Sequence, residues 1–418
     1  MKKIALIANR NNILPFIFES AERHGLELFH FKNKNEASLS HFLSVVKEID
    51  IDFFNDPTET INTIASYVKK YHLEGIFTLR EEAIPLVCEV AKQCSLPTNT
   101  TKAAINCRNK LSMRELFLEH GLNVPKFLDI NTQSYQQISQ QLGSHFIIKP
   151  KGGLASSGVC LIDSEESFNN HLNTLKEISD SDFSFTKDKV NGGFAGIIAE
   201  EFIEGEEYVV ESFSVDSKVY PLSIGYKGCA QGPFFEESVY ISLDDHNSDK
   251  ARELIEQTQH AVKALGITMG PSHTELRFKD DKAYVLEVGA RIGGSGVSHF
   301  IVEKSTGLDF LGLQMRQSVG EKISEQDLDF AIKKSVSNYI IPIGGHGIYS
   351  HLSGVDLVES HADTFKVFEL LKKGDVVEPY PKFTGFPGFI FSAHDNYETA
   401  LSYQNFLRKN ISTVFEGQ

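Results

Sequence analysis

The chain has 418 residues, of which 41% are hydrophobic and 23% are charged, and its formal net charge is −15. That length suits two to four domains and the composition is that of an ordinary globular protein, while the negative charge disfavours a nucleic-acid partner, because phosphate backbones need a basic face. No window reaches the ~18–20 apolar residues of a membrane span, and the N-terminus alternates like a strand, so we expect a cytoplasmic protein without membrane contacts.

The first hundred residues alternate strand and helix patterns. The segments "KIALIAN", "LELFHF" and "LEGIFTL" are typical of strands, and amphipathic stretches between them are typical of helices. Regular alternation of this kind predicts a parallel sheet, so we assign residues 1–103 to an N-terminal α/β domain. No G-x-G-x-x-G follows the first strand, which disfavours a dinucleotide site there.

The segment "FIIKPKGGLASSGV", residues 146–159, is a strand that ends in lysines and continues into small residues. It fails the Walker pattern, because Val159 stands where a P-loop requires lysine. A strand lysine beneath a glycine-rich flap is another way to bind phosphates, with backbone N–H groups closing over them. We therefore expect Lys149 to contact a nucleotide phosphate, with an ordinary turn beside solvated lysines as the alternative. The predicted flap residues are Gly152, Gly153, Ser156, Ser157 and Gly158.

The segment "AEEFIEGEEYVV", residues 199–210, has the pattern of two strands around an acidic turn. An adenine ring needs an apolar slot with backbone donors and acceptors along one edge. Glu201, Phe202 and Ile203 are placed to supply that edge, and the carboxylate of Glu207 is well spaced to accept both ribose hydroxyls. The alternative is an acidic hairpin on the surface.

A hairpin in "HTELRFKDDKAYVLEVGAR", residues 273–291, brings two glutamates together. A three-residue turn at Asp280–Lys282 sets the predicted register, in which Glu275 lies opposite Glu287 with Cβ atoms ~5 Å apart. Like charges so placed repel unless a divalent cation lies between them, and Mg²⁺ prefers hard oxygen ligands. The sequence therefore predicts a metal site, with a solvated acidic face as the alternative. The same register pairs Phe278 with Tyr284 and Leu276 with Leu286 on an apolar face.

Several polar or small residues around this hairpin are candidates for contacts with substrate. Arg291 follows the second strand on the carboxylate face and is suited to neutralise a transferring phosphoryl group or an oxyanion. The loop "GPFFEESVY", residues 232–240, is a candidate lining for an amino-acid pocket, with a solvated loop as the alternative. The predicted substrate residues are His273, Glu236, Glu237, Gly293 and Gly294.

Taken in order, these segments resemble the ATP-grasp superfamily over roughly residues 104–300. The narrower motif "HTELRF" with "LEVGAR", followed by a separate C-terminal region, is most similar to the L-amino acid ligases, which form dipeptides. The resemblance implies an α/β and α+β multidomain chain with an ATP-grasp fold. The domains are residues 1–103, an ATP-grasp region at 104–330 and a small C-terminal α+β domain at 331–418. The region divides into a flap lobe at about 140–205 and a metal-binding lobe at about 206–330.

The resemblance also implies roles. Lys110 joins Lys149 in holding ATP, and Mg²⁺, with Mn²⁺ as a substitute, binds the two glutamates of the hairpin. The family often has Asn two residues after the second metal glutamate, where this chain has Gly289, which leaves the number of metal ions open. A homodimer is a further implication.

The implied reaction activates a substrate carboxylate with ATP and transfers the acyl group to an amine, joining two amino acids or an amino acid and another amine. Which acid and which amine are joined is not encoded in a recognisable motif. Two alternatives stay open: another ATP-grasp ligase or carboxylase that uses carboxyphosphate, and a non-catalytic sensor that binds ATP without turning it over.

Overall fold

A computed structural model gives the fold of most of the chain. None of its helices combines the length and the hydropathy needed to cross a membrane, among the residues described. The structure describes residues 1–7, 14–34, 36–53, 56–130, 132–153, 156–181, 196–229, 232–236, 238–380 and 384–417.

The N-terminal region forms a parallel sheet flanked by helices, as its alternating pattern predicts. The strand order is β3-β2-β1-β4, and both neighbours of β1 run parallel to it. Polar residues that follow these strands therefore meet at one edge of the sheet. The strands are β1 (Lys2–Ile7), β2 (Leu26–Lys32), β3 (Val45–Asp50) and β4 (Gly75–Phe77), and the helices are α1 (Phe16–Arg23), α2 (Pro57–Tyr71) and α3 (Ile84–Gln93). Two helices follow, α4 (Thr101–Arg108) and α5 (Lys110–Glu119), and their Cys107, Met113 and Phe117 belong to a different apolar core.

The flap lobe is a four-stranded antiparallel sheet with two helices against it. Its order is β5-β8-β6-β7. The strand β6, which carries Lys149, therefore lies beside β8, which leads into the predicted adenine edge at Glu201, Phe202 and Ile203, here called the hinge. This pairing brings the phosphate and adenine segments to one sheet. The elements are β5 (Phe127–Ile130), α6 (Tyr135–Leu142), β6 (Phe146–Pro150), β7 (Cys160–Ile162), α7 (Glu165–Ser181) and β8 (Ile197–Glu201).

An eight-stranded sheet has the order β13-β12-β9-β10-β11-β14-β18-β16. The hairpin predicted to bind a metal ion, β12–β13, lies at one edge of this sheet. Its last three strands come from residues after 331, so the C-terminal segment extends the sheet of the metal-binding lobe, and the boundary at 331 stays a prediction. The elements are β9 (Glu206–Val215), β10 (Lys218–Cys229), β11 (Val239–Ser242), α8 (Asp249–Ala264), β12 (Gly270–Lys279), β13 (Lys282–Gly289), α9 (Val297–Thr306), α10 (Phe310–Ser318), β14 (Ser335–Ile340), β16 (Thr364–Glu369) and β18 (Gly388–His394).

A small sheet completes the C-terminal segment. One apolar core contains residues of the N-terminal sheet, of α9 and of the C-terminal segment, and so joins these three parts. The small sheet has the order β17-β15-β19. In the joining core, Leu6 of the N-terminal sheet, Phe300 of α9 and Phe391 of β18 belong to a single buried cluster. The remaining elements are β15 (Gly347–Ser353), α11 (Val355–Glu359), β17 (Val376–Val377), α12 (Tyr397–Asn410) and β19 (Ser412–Phe415).

The β12–β13 hairpin pairs the two glutamates as predicted, but by a different turn. Glu275 is opposite Glu287, whereas Phe278 is opposite Ala283 and Leu276 is opposite Val285. The predicted three-residue turn and its apolar pairs are therefore wrong. The turn has two residues, which shifts the register by one, and an irregularity after Glu275 shifts it back. Ala283, Val285 and Val288 face the core in place of Tyr284 and Leu286.

The two turn residues offer a test of this register. Asp280 and Asp281 have φ of +50° and +58°, the left-handed region required at both central positions of a type I′ turn. Because glycine adopts that region without strain, Asp281→Gly is expected to stabilise the protein by about 0.5–1 kcal/mol. Thermal unfolding would measure this. A lower melting temperature in the variant would contradict the two-residue turn.

Candidate active site

A cleft between the flap lobe and the eight-stranded sheet collects most of the predicted site residues. Flap residues lie on one wall and the hairpin glutamates on the other. The predicted residues that line the cleft are Lys110, Lys149, Gly152, Gly153, Ser156, Ser157, Glu201, Phe202, Ile203, Glu207, His273, Glu275, Glu287 and Arg291. Gly158, Glu236, Gly293 and Gly294 are not among its lining residues. Glu237 lies outside the described residues.

Lys149 is fixed by a buried carboxylate on the neighbouring strand. Its Nζ lies 2.6 Å from Glu200 Oε2, and Arg114 Nε lies 2.9 Å from the other oxygen. Burial lowers the pKa of Lys149 although Glu200 opposes the shift. Burial would raise the pKa of Glu200, but the two cations outweigh it and lower that pKa. Arg114 also donates to the carbonyl of Leu286 on β13 at 2.5 Å, so one network joins both walls of the cleft.

The two hairpin glutamates each hold a lysine. Glu287 Oε1 accepts from Lys110 Nζ at 2.9 Å, and Glu275 Oε1 accepts from Lys227 Nζ at the same distance. Burial would raise the pKa of Glu275, but Lys227 and His273 lower it well below its usual value. Two carboxylates opposite each other on one cleft wall supply the hard oxygen donors that Mg²⁺ or Mn²⁺ takes, so these residues fit a divalent cation.

Glu207 is held between two cations at the ribose end of the predicted nucleotide site. Arg277 donates to Glu207 Oε2 at 2.8 Å and also to the carbonyl of Ile203 at 2.8 Å, which ties the hinge to the sheet. Lys227 lies 3.1 Å from Glu207 Oε1. Lys227 therefore bridges the carboxylate predicted for ribose and a carboxylate predicted for metal.

Arg291 is anchored by a carboxylate from the N-terminal domain. Its Nη2 lies 2.5 Å from Glu81 Oε2, and Arg108 Nη1 lies 2.7 Å from the other oxygen. Burial would raise the pKa of Glu81, but Arg291, Arg108 and Lys110 outweigh it and lower the pKa to about 2. Glu81 is thus a charged contact between the first domain and the cleft at neutral pH.

His273 is held from behind by a fully buried carboxylate. Its Nδ1 lies 2.7 Å from Glu211 Oε1, and its Nε2 lies 3.4 Å from Glu275. Burial would lower the pKa of His273, but the two carboxylates raise it to about 9. The imidazole therefore lies between two carboxylates, beside the glutamates predicted to bind a metal ion.

The loop predicted to line an amino-acid pocket packs against the flap lobe, and its role towards a substrate stays a prediction. Its Pro233 carbonyl accepts from the Leu161 N–H of β7 at 2.8 Å. Phe235 lines the cleft beside Phe202, with ring centroids 5.8 Å apart, so the loop contributes to the predicted adenine end. Glu236 is exposed and does not line the cleft, because docking on β7 fixes the loop at that end.

Sequence reasoning missed several charged residues of this site, among them Glu81, Glu200, Lys227 and Arg277. Glu81 follows β4 at the carboxyl edge of a parallel sheet, where ligand sites of such sheets form, and this was a usable signal. Glu200 directly precedes the predicted hinge. Lys227 and Arg277 lie in strands of ordinary pattern, and only strand pairing brings them to Glu207.

Comparison with known proteins places this fold and cleft in one class. The ATP-grasp domain family matches residues 142–299, and the ATP-grasp N-terminal domain family matches residues 18–98. The crystal structure of an L-amino acid ligase from Bacillus licheniformis aligns with a TM-score of 0.86 and 32% identity, covering 100% of this chain and 99% of that chain. The chain belongs to the ATP-grasp superfamily of ligases. Within it, the chain is similar over its full length to an L-amino acid ligase.

Curated relatives agree with this class. An alanine–anticapsin ligase from Bacillus amyloliquefaciens is 26% identical over 250 residues, which is 56% of this chain and 52% of that protein. This chain thus spans about half the length of that relative. An L-arginine-specific L-amino acid ligase from Bacillus subtilis is 24% identical over 297 residues, which is 66% of this chain and 64% of that protein.

Proposed function

We propose that this protein is an ATP-dependent carboxylate–amine ligase that joins two L-amino acids, releasing ADP and phosphate. The observation that carries the proposal is the Glu275–Glu287 pair, facing one cleft with Lys110, Lys149 and Arg291. This set can bind a triphosphate and neutralise charge at its terminal phosphate. The 32% identity to an L-amino acid ligase over the full chain supports the choice of substrates.

The residues of the cleft divide the work of binding the nucleotide. Glu201, Phe202 and Ile203 would contact adenine, and Glu207 would accept the ribose hydroxyls. Lys110, Lys149 and the flap residues Gly152, Gly153, Ser156 and Ser157 would hold the phosphates. Glu275 and Glu287 would hold Mg²⁺, which when bound neutralises phosphate charge.

The proposed reaction has two steps and uses no nucleophile from the protein. An oxygen of the substrate carboxylate attacks the γ-phosphorus, the bond to the β–γ bridging oxygen breaks, and ADP leaves. An amine nitrogen then attacks the carbonyl carbon of the acyl phosphate, phosphate leaves with the bond electrons, and the ammonium loses a proton. Arg291 stabilises the negative charge in both steps, because Glu81, itself held by Arg108, fixes it at the cleft wall.

A phosphate-release screen tests the proposal. The protein is incubated with ATP, Mg²⁺ and all pairs of the common L-amino acids, and products are identified by mass spectrometry. A dipeptide formed in equal amount to ADP is the expected result. Phosphate release that requires bicarbonate would instead indicate a carboxyphosphate enzyme, and ATP binding without release in any mixture would indicate a sensor. The homodimer implied by the resemblance stays a prediction that light scattering would test.

Lys227 provides a separate prediction for the nucleotide site. Lys227→Met is expected to weaken MgATP binding by about 10–100-fold, because it removes a charge-assisted contact and leaves two carboxylates repelling the phosphates. Calorimetric titration measures the effect. Lys250→Met is the matched control: Lys250 on α8 binds Glu206, the residue before Glu207 on β9, at 2.8 Å, and neither Lys250 nor Glu206 lines the cleft. Equal affinities in both variants would contradict the role of Lys227.

A further inference from the structure

Glu211 is a buried carboxylate that has no role in the proposed binding of ATP or in the two proposed reaction steps. It lies on β9 with no exposed surface. One of its oxygens, Oε1, accepts from Ser298 Oγ at 2.5 Å, from His273 Nδ1 at 2.7 Å and from Tyr240 OH at 3.1 Å. Its other oxygen, Oε2, is buried without a hydrogen-bond partner among the described residues. Burying a carboxylate with one oxygen unpaired costs free energy of folding, so we look for a functional role that offsets this cost.

The three contacts determine which ring nitrogen of His273 meets the cleft. The Nδ1 atom lies 2.7 Å from Glu211 Oε1, so this ring nitrogen is committed to the hydrogen bond with Glu211. The opposite nitrogen, Nε2, then points to Glu275 and the cleft. Ser298 and Tyr240 hold the carboxylate from α9 and β11, so the ring direction is set by three different elements.

Gly293 packs tightly against the imidazole ring of His273 and the hydroxyl of Ser298. A Cβ atom at this position would lie 2.4 Å from His273 Nδ1 and 2.4 Å from Ser298 Oγ, which no side chain can occupy without a shift. The predicted role of Gly293 in substrate binding therefore changes: it does not line the cleft but packs against the residue that does.

We propose that Glu211 is a positioning residue that holds His273 with Nε2 directed at the carboxylate of the acid substrate, at the end of the cleft beside Glu275. This inference rests on the proposed function, because it assigns an acid substrate to that end. His273 contacts the substrate oxygen and Glu211 acts only through it. Carboxylate–histidine pairs that orient a ring in this way typically change activity by about 10–100-fold when broken.

A double-mutant cycle tests the inference. Glu211→Gln and His273→Gln are each expected to lower kcat about 10–100-fold, with the dissociation constant for MgATP within about twofold of wild type. The double variant is expected to lose no more than the worse single variant, because two residues that act as a unit are not additive. Losses that multiply, or an unchanged kcat in Glu211→Gln, would overturn the proposal.

Two further variants separate positioning from general damage. Ser212→Ala is the matched control: Ser212 is buried on the same strand and bonds Ser272 at 2.6 Å, on the opposite face from Glu211. It is expected to keep kcat while losing some thermal stability. Gly293→Ala pushes on the ring without changing any charge, and it is expected to lower kcat as Glu211→Gln does. If Glu211→Gln does not fold, Gly293→Ala decides the question, and normal kcat there overturns the proposal.

A spectroscopic measurement separates this inference from the proposed function. In protein labelled with ¹⁵N-histidine and assigned with His273→Gln, the Nδ1 proton of His273 is expected as a downfield signal protected from exchange. The signal is expected to persist in Ser212→Ala and to vanish or move in Glu211→Gln. Absence of the signal in wild type contradicts the positioning by Glu211, whether or not the screen finds a ligase. An inactive wild type with the signal present contradicts only the proposed function.

Discussion

Glu287→Gln is expected to reduce ADP formation by on the order of 10³-fold, a loss of about 4 kcal/mol of transition-state stabilisation. The variant keeps the shape of the side chain but removes one of two opposed carboxylates, so the divalent cation loses a ligand. It also removes the partner that holds Lys110 Nζ at 2.9 Å. Both changes affect the terminal phosphate, where the proposed reaction takes place.

Steady-state ADP formation with saturating ATP, measured at increasing Mg²⁺, separates these causes. A lost ligand raises the Mg²⁺ concentration needed for half-maximal rate, whereas a displaced Lys110 lowers the rate at every concentration. Glu206→Gln is the control, because Glu206 lies on β9, separated from β13 by β12, and pairs with Lys250 outside the cleft. Wild-type turnover in Glu287→Gln would refute the metal assignment. An equal loss in Glu206→Gln would show that the sheet, not the site, was disturbed.

The glutamate pair shows what the sequence could predict and why. Binary patterning predicted that Glu275 and Glu287 share a face away from the core, and both line the cleft, but Leu286, predicted for the core face, lines the cleft with them. The turn was wrong, because "KDDK" allows either a two- or a three-residue turn, and only the left-handed φ values of Asp280 and Asp281 identify it. The irregularity after Glu275 restored the predicted pair by compensating for the shift.

Long-range charge pairs were beyond sequence reasoning. Arg291 and Glu81 are 210 positions apart, and Lys110 and Glu287 are 177 apart. Periodicity and motif spacing concern near neighbours in the chain, so they cannot state which carboxylate a given cation meets. The family resemblance supplied Lys110, and the parallel sheet supplied a place for Glu81 after β4, but their partners required the packed structure.

These ion pairs suggest that, in the proposed function, binding of a metal ion and ATP replaces some of the carboxylates that now hold the cationic side chains. The cationic side chains that line the cleft are each held by a carboxylate, so phosphates must displace or share those contacts. A cation that takes Glu275 and Glu287 would release Lys227 and Lys110 towards the triphosphate. The pairs are Lys110–Glu287, Lys149–Glu200, Arg277–Glu207 and Arg291–Glu81.

Glu81→Gln is expected to produce the largest loss of stability, about 3–5 kcal/mol, together with loss of ligase activity. Glu81 and Arg108 are almost completely buried, so removing the carboxylate charge leaves Arg108 and Arg291 repelling each other away from water. Arg291 also loses the anchor that holds it at the cleft wall. Calorimetric melting measures the stability, and the phosphate-release assay measures the activity.

The lowered pKa of Glu81 predicts that the stability of the folded protein falls as the pH is lowered. The pKa of Glu81 is lowered to about 2 in the folded protein from an ordinary value near 4.5. A depressed carboxyl pKa stabilises the fold above the unfolded pKa, and that stability, about 3 kcal/mol, is lost as pH falls from about 4.5 towards 2. The gap between the melting temperatures of wild type and Glu81→Gln should therefore narrow between pH 6 and pH 3.5.

A surface ion pair gives the contrast that makes this result specific. Glu325 pairs with Lys218, and both side chains are mostly exposed, so Glu325→Gln should leave the melting temperature unchanged at either pH. A gap that stays constant with pH in Glu81→Gln would mean that Glu81 is not held in its charged form by Arg291 and Arg108. The link between the first domain and the cleft would then be steric, and Arg291 would need another anchor.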